Sequence, residues 1–114
     1  ILQPQRDIEK VRAYLHNINY KIINEEMLIE AGKYYTIINA IKGIDEEYSE
    51  IEYYFGKFLL NKKSAVLKQF IDHEYKKINI VLENISSNAI ENADERIAQL
   101  KHLKALYEEG LKCL

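Results

Sequence analysis

Apolar residues recur along this chain with different periods, and each period predicts a different element. Ile8, Val11, Leu15 and Ile18 are spaced by three and four, which predicts a helix from Asp7 to Ile18 with Asp7 as N-cap. Asn17 and Asn19 suit the helix exit, because asparagine tolerates the left-handed conformation. Upstream, Ile1-Leu2-Gln3-Pro4 reads as the end of a strand closed by a proline that lacks a ladder N–H. Downstream, the β-branched and aromatic runs 20–30 and 33–42 flank Ala31-Gly32, the pattern of a β-hairpin that Gly43 ends.

The return strand of that hairpin carries the most information. Tyr34, Thr36, Ile38 and Ala40 share one face, while Tyr35, Ile37 and Ile41 share the other. A strand apolar on both sides belongs inside a sheet that is covered on both faces. The single helix before it covers only one, so residues 1–43 are expected to be the tail of a larger α/β domain.

Residues 44–59 form an acidic, aromatic junction that reaches Tyr53-Tyr54-Phe55-Gly56. Its aromatics are expected to dock on a neighbouring surface rather than stack on a base. The period then changes. Leu67, Ile71, Tyr75, Ile78, Leu82 and Ile85 alternate steps of four and three, as do Ile90, Ala93, Ile97, Leu100, Tyr107, Leu111 and Leu114. Lys104 interrupts the second series, with Leu103 beside it to fill in. Ser86-Ser87-Asn88 separates the two, and Asn88 with Glu91 makes a capping-box-like restart. The expectation for 60–114 is a long antiparallel αα-hairpin, a coiled-coil arm whose first helix, 60–86, runs ~40 Å.

Composition narrows the class. One Pro and four Gly argue against a loop-rich all-β chain, and 47% apolar with 30% charged residues excludes a disordered one. The lone Cys113 cannot form an internal disulfide, which favours a reducing, cytoplasmic setting. No apolar run nears the ~20 residues of a membrane span, so no membrane partner is expected. The net charge of −2 conceals an uneven distribution. Residues 44–56 hold five acids and no base, whereas 57–87 hold six lysines against three acids. Lys57, Lys62, Lys63, Lys68, Lys76 and Lys77 fit a basic stripe for phosphates, although a solvated helix face has the same pattern.

Catalytic chemistry is hard to place. His16, His73 and His102 lie on separate elements without a second ligand at zinc spacing, so no metal site is expected. His73, between Asp72 and Glu74, reads as a surface residue, and Cys113 has no neighbouring histidine to activate it. Glu25 and Glu26 are adjacent on a strand and face opposite ways. No glycine-rich cofactor loop, P-loop or nucleophile elbow occurs.

Three stretches carry a resemblance. Ile1-Leu2-Gln3-Pro4, Val11-Arg12-x-Tyr14-Leu15 and Ile29-Glu30-Ala31-Gly32-Lys33-Tyr34-Tyr35-Thr36-Ile37-Ile38 resemble the last third of the bacterial tRNA adenine N1-methyltransferases. Phe55-Gly56-Lys57-Phe58-Leu59 is similar to that family's junction between catalytic domain and helical arm, with Lys57 where a proline is usual; Gln5 stands in place of a more common asparagine. The resemblance implies an α+β chain: the C-terminal end of a class I, Rossmann-like methyltransferase sheet, with 33–42 as the inserted antiparallel strand, followed by the two-helix arm. It implies a tRNA partner and methyl transfer from S-adenosylmethionine to adenine N1. The family's cofactor and catalytic motifs lie upstream of these stretches, so the resemblance assigns no catalytic or cofactor-binding residue here and implies that these residues alone bind no cofactor. Lys62, Lys63, Lys76 and Lys77 are the expected RNA contacts. The alternative is a non-enzymatic coiled-coil module, with self-association through an uncovered sheet.

Overall fold

The computed structural model describes residues 1–4, 6–87 and 93–114. The chain divides into two compact units, residues 1–67 and 68–114. In the first unit, α1 (Ile8–Asn17) leads into the hairpin of β1 (Tyr20–Glu30) and β2 (Lys33–Lys42), followed by α2 (Glu50–Phe55) and α3 (Lys57–Asn61). The helix and hairpin lie where the periodicity predicts them. Asp7 does stand at the N-cap, but its backbone is left-handed and its side chain makes no cap hydrogen bond. Its carbonyl instead accepts from the amides of Lys10 and Val11. At the other end Asn19 takes the expected left-handed conformation.

β1 and β2 pair antiparallel around Ala31 and Gly32, both with positive φ as a two-residue type I′ loop requires. A β-bulge at Ile23 shifts the register, with Ile22 opposite Ala40 but Asn24 opposite Asn39. The bulge has a packing consequence. It lets Ile22, Glu25 and Met27 face one side together, although Ile22 and Glu25 are an odd number of residues apart. These three are buried with Thr36 and Ile38 of β2. On the opposite face Leu28, Tyr35 and Ile37 are half-buried and Ile41 is exposed. β2 also has a neighbour on its second edge: Leu2 bridges Ile38 antiparallel, with N–H···O distances of 2.9 and 2.8 Å. The return strand is therefore flanked on both sides. The core of this unit is Leu15, Ile22, Ile38 and Tyr48, with Ile8, Val11, Tyr20, Ala40, Tyr53 and Phe58 packed against it.

The junction is more ordered than an acidic linker suggests. Ser49 and Glu52 form a capping box that starts α2. The long helix α4 spans Ala65–Ser87, starting later than residue 60. Lys63 is left-handed there and Ser64 Oγ accepts from Leu67 N, so the chain ends α3 and restarts.

The second unit holds the body of α4 and α5 (Ala93–Cys113). Ile71 and Ile78 are buried on α4, and Leu100, Leu106 and Tyr107 on α5. Lys104, which interrupts the apolar series, places its ammonium 5.8 Å from the centre of the Tyr75 ring. The stem of a lysine can cover apolar surface while its charge meets an aromatic face. The expected capping box of Asn88 and Glu91 lies outside the described residues.

Candidate nucleic-acid interface

The most constrained part of the first unit is a buried ion pair that sequence reasoning did not single out. Arg12 on α1 and Glu25 on β1 are 1% and 0% exposed. Arg12 Nη2 donates to Glu25 Oε1 at 2.7 Å, and Nε donates to Oε2 at 3.0 Å. Nη1 donates to the carbonyls of Tyr53 and Tyr54 at 2.7 and 2.9 Å. Those carbonyls belong to the last turn of α2, which has no helical partner for them. One guanidinium thus satisfies a carboxylate and a helix end together. Gly56 closes the site: a Cβ there would lie 2.9 Å from Arg12 Nη2 and about as close to both Glu25 oxygens, and its φ of +89° also favours glycine.

A second cluster ties the acidic junction to α1. His16 Nδ1 lies 2.9 Å from the Tyr53 hydroxyl, and Nε2 lies 2.9 Å from Asp45 Oδ2. Asp45 Oδ2 also accepts from Ile22 N on β1. The His16 ring packs edge-on against Tyr48 and Tyr53. Tyr53 therefore docks on the core of this unit, as the aromatic pattern suggests, and Phe55 is buried. Tyr48 is buried and its hydroxyl has no hydrogen-bond partner among the described residues. Burial, with Asp45 and Glu25 adding negative charge nearby, pushes that phenol well above its ordinary range.

The lysines separate into paired and unpaired groups. Lys62 Nζ donates to Glu26 Oε1 at 2.7 Å, and this bond together with the lysine's charge lowers the Glu26 carboxyl. Lys57 bonds Glu46 at 2.9 Å, lowering that carboxyl and raising its own ammonium. Lys76 pairs with Asp72 and Lys77 with Glu74, both along α4. Lys63 enters no ion pair among the described residues. These are surface pairs, and such pairs contribute little to stability. The residues lie in two units, Lys62 and Lys63 in the first and Lys68, Lys76 and Lys77 in the second. Among the described residues no three His, Cys, Asp or Glu side chains are grouped to hold a metal ion. His73 and Cys113 are exposed, and no described helix is long and apolar enough to cross a membrane.

The family model described as tRNA (adenine(22)-N(1))-methyltransferase matches residues 1–107. The chain belongs to that family. Solved structures agree with the match. A Listeria monocytogenes serotype 4b protein, described as uncharacterized, is 28% identical with a TM-score of 0.89, covering 96% of this chain and 49% of its own. A Streptococcus agalactiae protein of the NADB-Rossmann superfamily is 27% identical, with a TM-score of 0.82 and coverage of 96% and 46%. A Streptococcus pneumoniae protein, a candidate tRNA (m1A22) methyltransferase in complex with S-adenosyl-L-methionine, is 26% identical at a TM-score of 0.79, covering 96% and 45%. None of the curated proteins matches. The chain thus spans about half the length of these relatives, more than the third its motifs imply.

Proposed function

We propose that the chain serves as the C-terminal portion of an S-adenosylmethionine-dependent tRNA methyltransferase that modifies adenine N1. Residues 1–43 complete the methyltransferase sheet, 44–59 form the junction, and 60–114 act as an antiparallel coiled-coil arm that assists tRNA binding in the cytoplasm. The family match over residues 1–107 carries this reading. The S-adenosylmethionine-bound relative from Streptococcus pneumoniae supports the cofactor. When bound, S-adenosylmethionine would supply the methyl group and leave as S-adenosylhomocysteine, so the protein's part is to align adenine with it rather than to supply covalent chemistry. The task of these residues is then to hold RNA, with Lys62, Lys63, Lys76 and Lys77 meeting phosphates without reading sequence.

The test is transfer of a labelled methyl group to a tRNA transcript bearing adenine at position 22, using the enzyme that contains this chain. Transfer that disappears when guanine replaces that adenine is the expected result. Methylation of neither transcript would sink the reading.

A second reading is favoured by one observation. Leu2, Val11, Tyr14, Leu15 and Ile18, with Asp7 and Lys10, line an apolar concavity of about 570 Å³, and Tyr14 is 55% exposed. Such a surface suits self-association of this chain. Sedimentation as a dimer whose affinity ignores salt, with no tRNA binding, would support this module over the enzyme.

A further inference from the structure

The Glu30-Ala31-Gly32-Lys33 stretch is fairly specific to the resemblance, yet neither buried cluster uses it. Its place in the sheet gives it a role. Leu2 bridges Ile38 antiparallel, so the chain running through Gln3 to Pro4 travels toward the hairpin turn. Continuing the register sets Pro4 opposite Thr36, and β2 extends a further three residues before the turn, ~10 Å at the rise of a strand. The turn therefore overhangs the carboxyl-terminal side of the extended segment that Leu2 bridges to β2. In open α/β sheets, ligands bind outside the carboxyl ends of the strands.

Two independent features of the turn point the same way. Ala31 has a φ of +52°, in a loop type where Asn, Asp or Gly is usual. A strained residue of this kind in an exposed turn is a pointer to function. Lys33 is exposed and enters no ion pair among the described residues, whereas Lys57, Lys62, Lys76 and Lys77 each face a carboxylate.

We propose that the Ala31–Lys33 turn is a lip at the mouth of the methyl-transfer site, where the Lys33 ammonium holds a tRNA phosphate near the target adenine. The proposal rests on the methyltransferase reading above. Lys33 is a substrate-binding residue in this scheme and takes no part in the chemical step. A phosphate contact made at the reacting end of the sheet aligns the nucleotide, while contacts on α4 contribute affinity from elsewhere.

The experiment compares the unsubstituted enzyme with Lys33→Ala and Lys33→Arg. KM for tRNA, kcat, and S-adenosylmethionine affinity by calorimetry are measured across a salt series. The expected result for Lys33→Ala is a KM for tRNA raised about tenfold, unchanged cofactor affinity, and a salt slope reduced by about one. Lys33→Arg, which keeps the charge, restores most of the KM. Lys33→Ala with an unaltered KM and salt slope would overturn the lip and leave the enzyme reading intact. Equal loss in the alanine and arginine variants, or weakened cofactor binding, would overturn it too, because a folding defect then explains the change. Absence of methylation by the unsubstituted enzyme would overturn both readings.

Discussion

At the scale of single residues, Arg12 and Tyr48 show two opposite ways to bury a polar group. Arg12 is buried with its guanidinium donating to two carboxylate oxygens and two helix-end carbonyls. Removing one partner strands the other charge in the interior. Arg12→Ala should cost about 3–5 kcal/mol in urea denaturation, and Arg12→Met with Glu25→Leu together should cost less than Arg12→Ala alone. A double variant that is worse than either single change would contradict this account. Tyr48 buries a hydroxyl with no partner among the described residues, so Tyr48→Phe should be neutral or stabilising. The pH dependence follows from its raised pKa. Below about pH 10 the phenol is protonated in both folded and unfolded chains and contributes no pH dependence. As pH rises past that value only the unfolded chain ionises, so stability falls. Urea midpoints between pH 8 and 11 should drop for the native sequence and drop less for Tyr48→Phe.

At the scale of elements, the hairpin was legible in outline and hidden in detail. Its two strands and two-residue loop follow from β-branched runs around Ala31-Gly32, because loop length and residue type act locally. Strict alternation also separates buried Glu25 from exposed Glu26. The bulge at Ile23 leaves no local signal, since it depends on which β1 residues must share a face with Arg12 and the core. The turn offers a test of local strain. Ala31→Asn should stabilise the fold by about 1 kcal/mol, because asparagine accepts the left-handed conformation more readily. A lower thermal midpoint for that variant would show that the alanine is held there by something other than the turn. In α5 the sequence series passed over Leu106, which is buried beside Tyr107. A regular spacing marks one inward position at a time, whereas here two adjacent apolar residues both turn inward, one turn from Lys104 on the Tyr75 ring.

At the scale of the whole molecule, the proposed tRNA contacts make a prediction about salt. Replacing Lys62, Lys63, Lys76 and Lys77 by alanine should weaken tRNA binding and flatten the plot of affinity against salt by about one unit of slope for each lysine that touches phosphate. An unchanged slope in filter binding from 50 to about 200 mM salt would remove these four lysines from the interface. Composition cannot foresee that Lys62 is shared with Glu26 or Lys57 with Glu46, because those partners are distant in sequence.

The sequence by itself determined most elements: the periods of apolar residues set α1, the hairpin and the two long helices, though not the short α2 and α3, and local motifs marked the family. These depend on neighbours within a few positions, which a linear pattern records. Only the tertiary structure decided that Arg12 among the basic residues and Glu25 among the acidic ones would meet in the interior. It also brought His16 to Asp45 and Tyr53, and Leu2 to Ile38. Those outcomes depend on which surfaces come together at long range, where burial and charge compensation act on residues that no spacing rule connects.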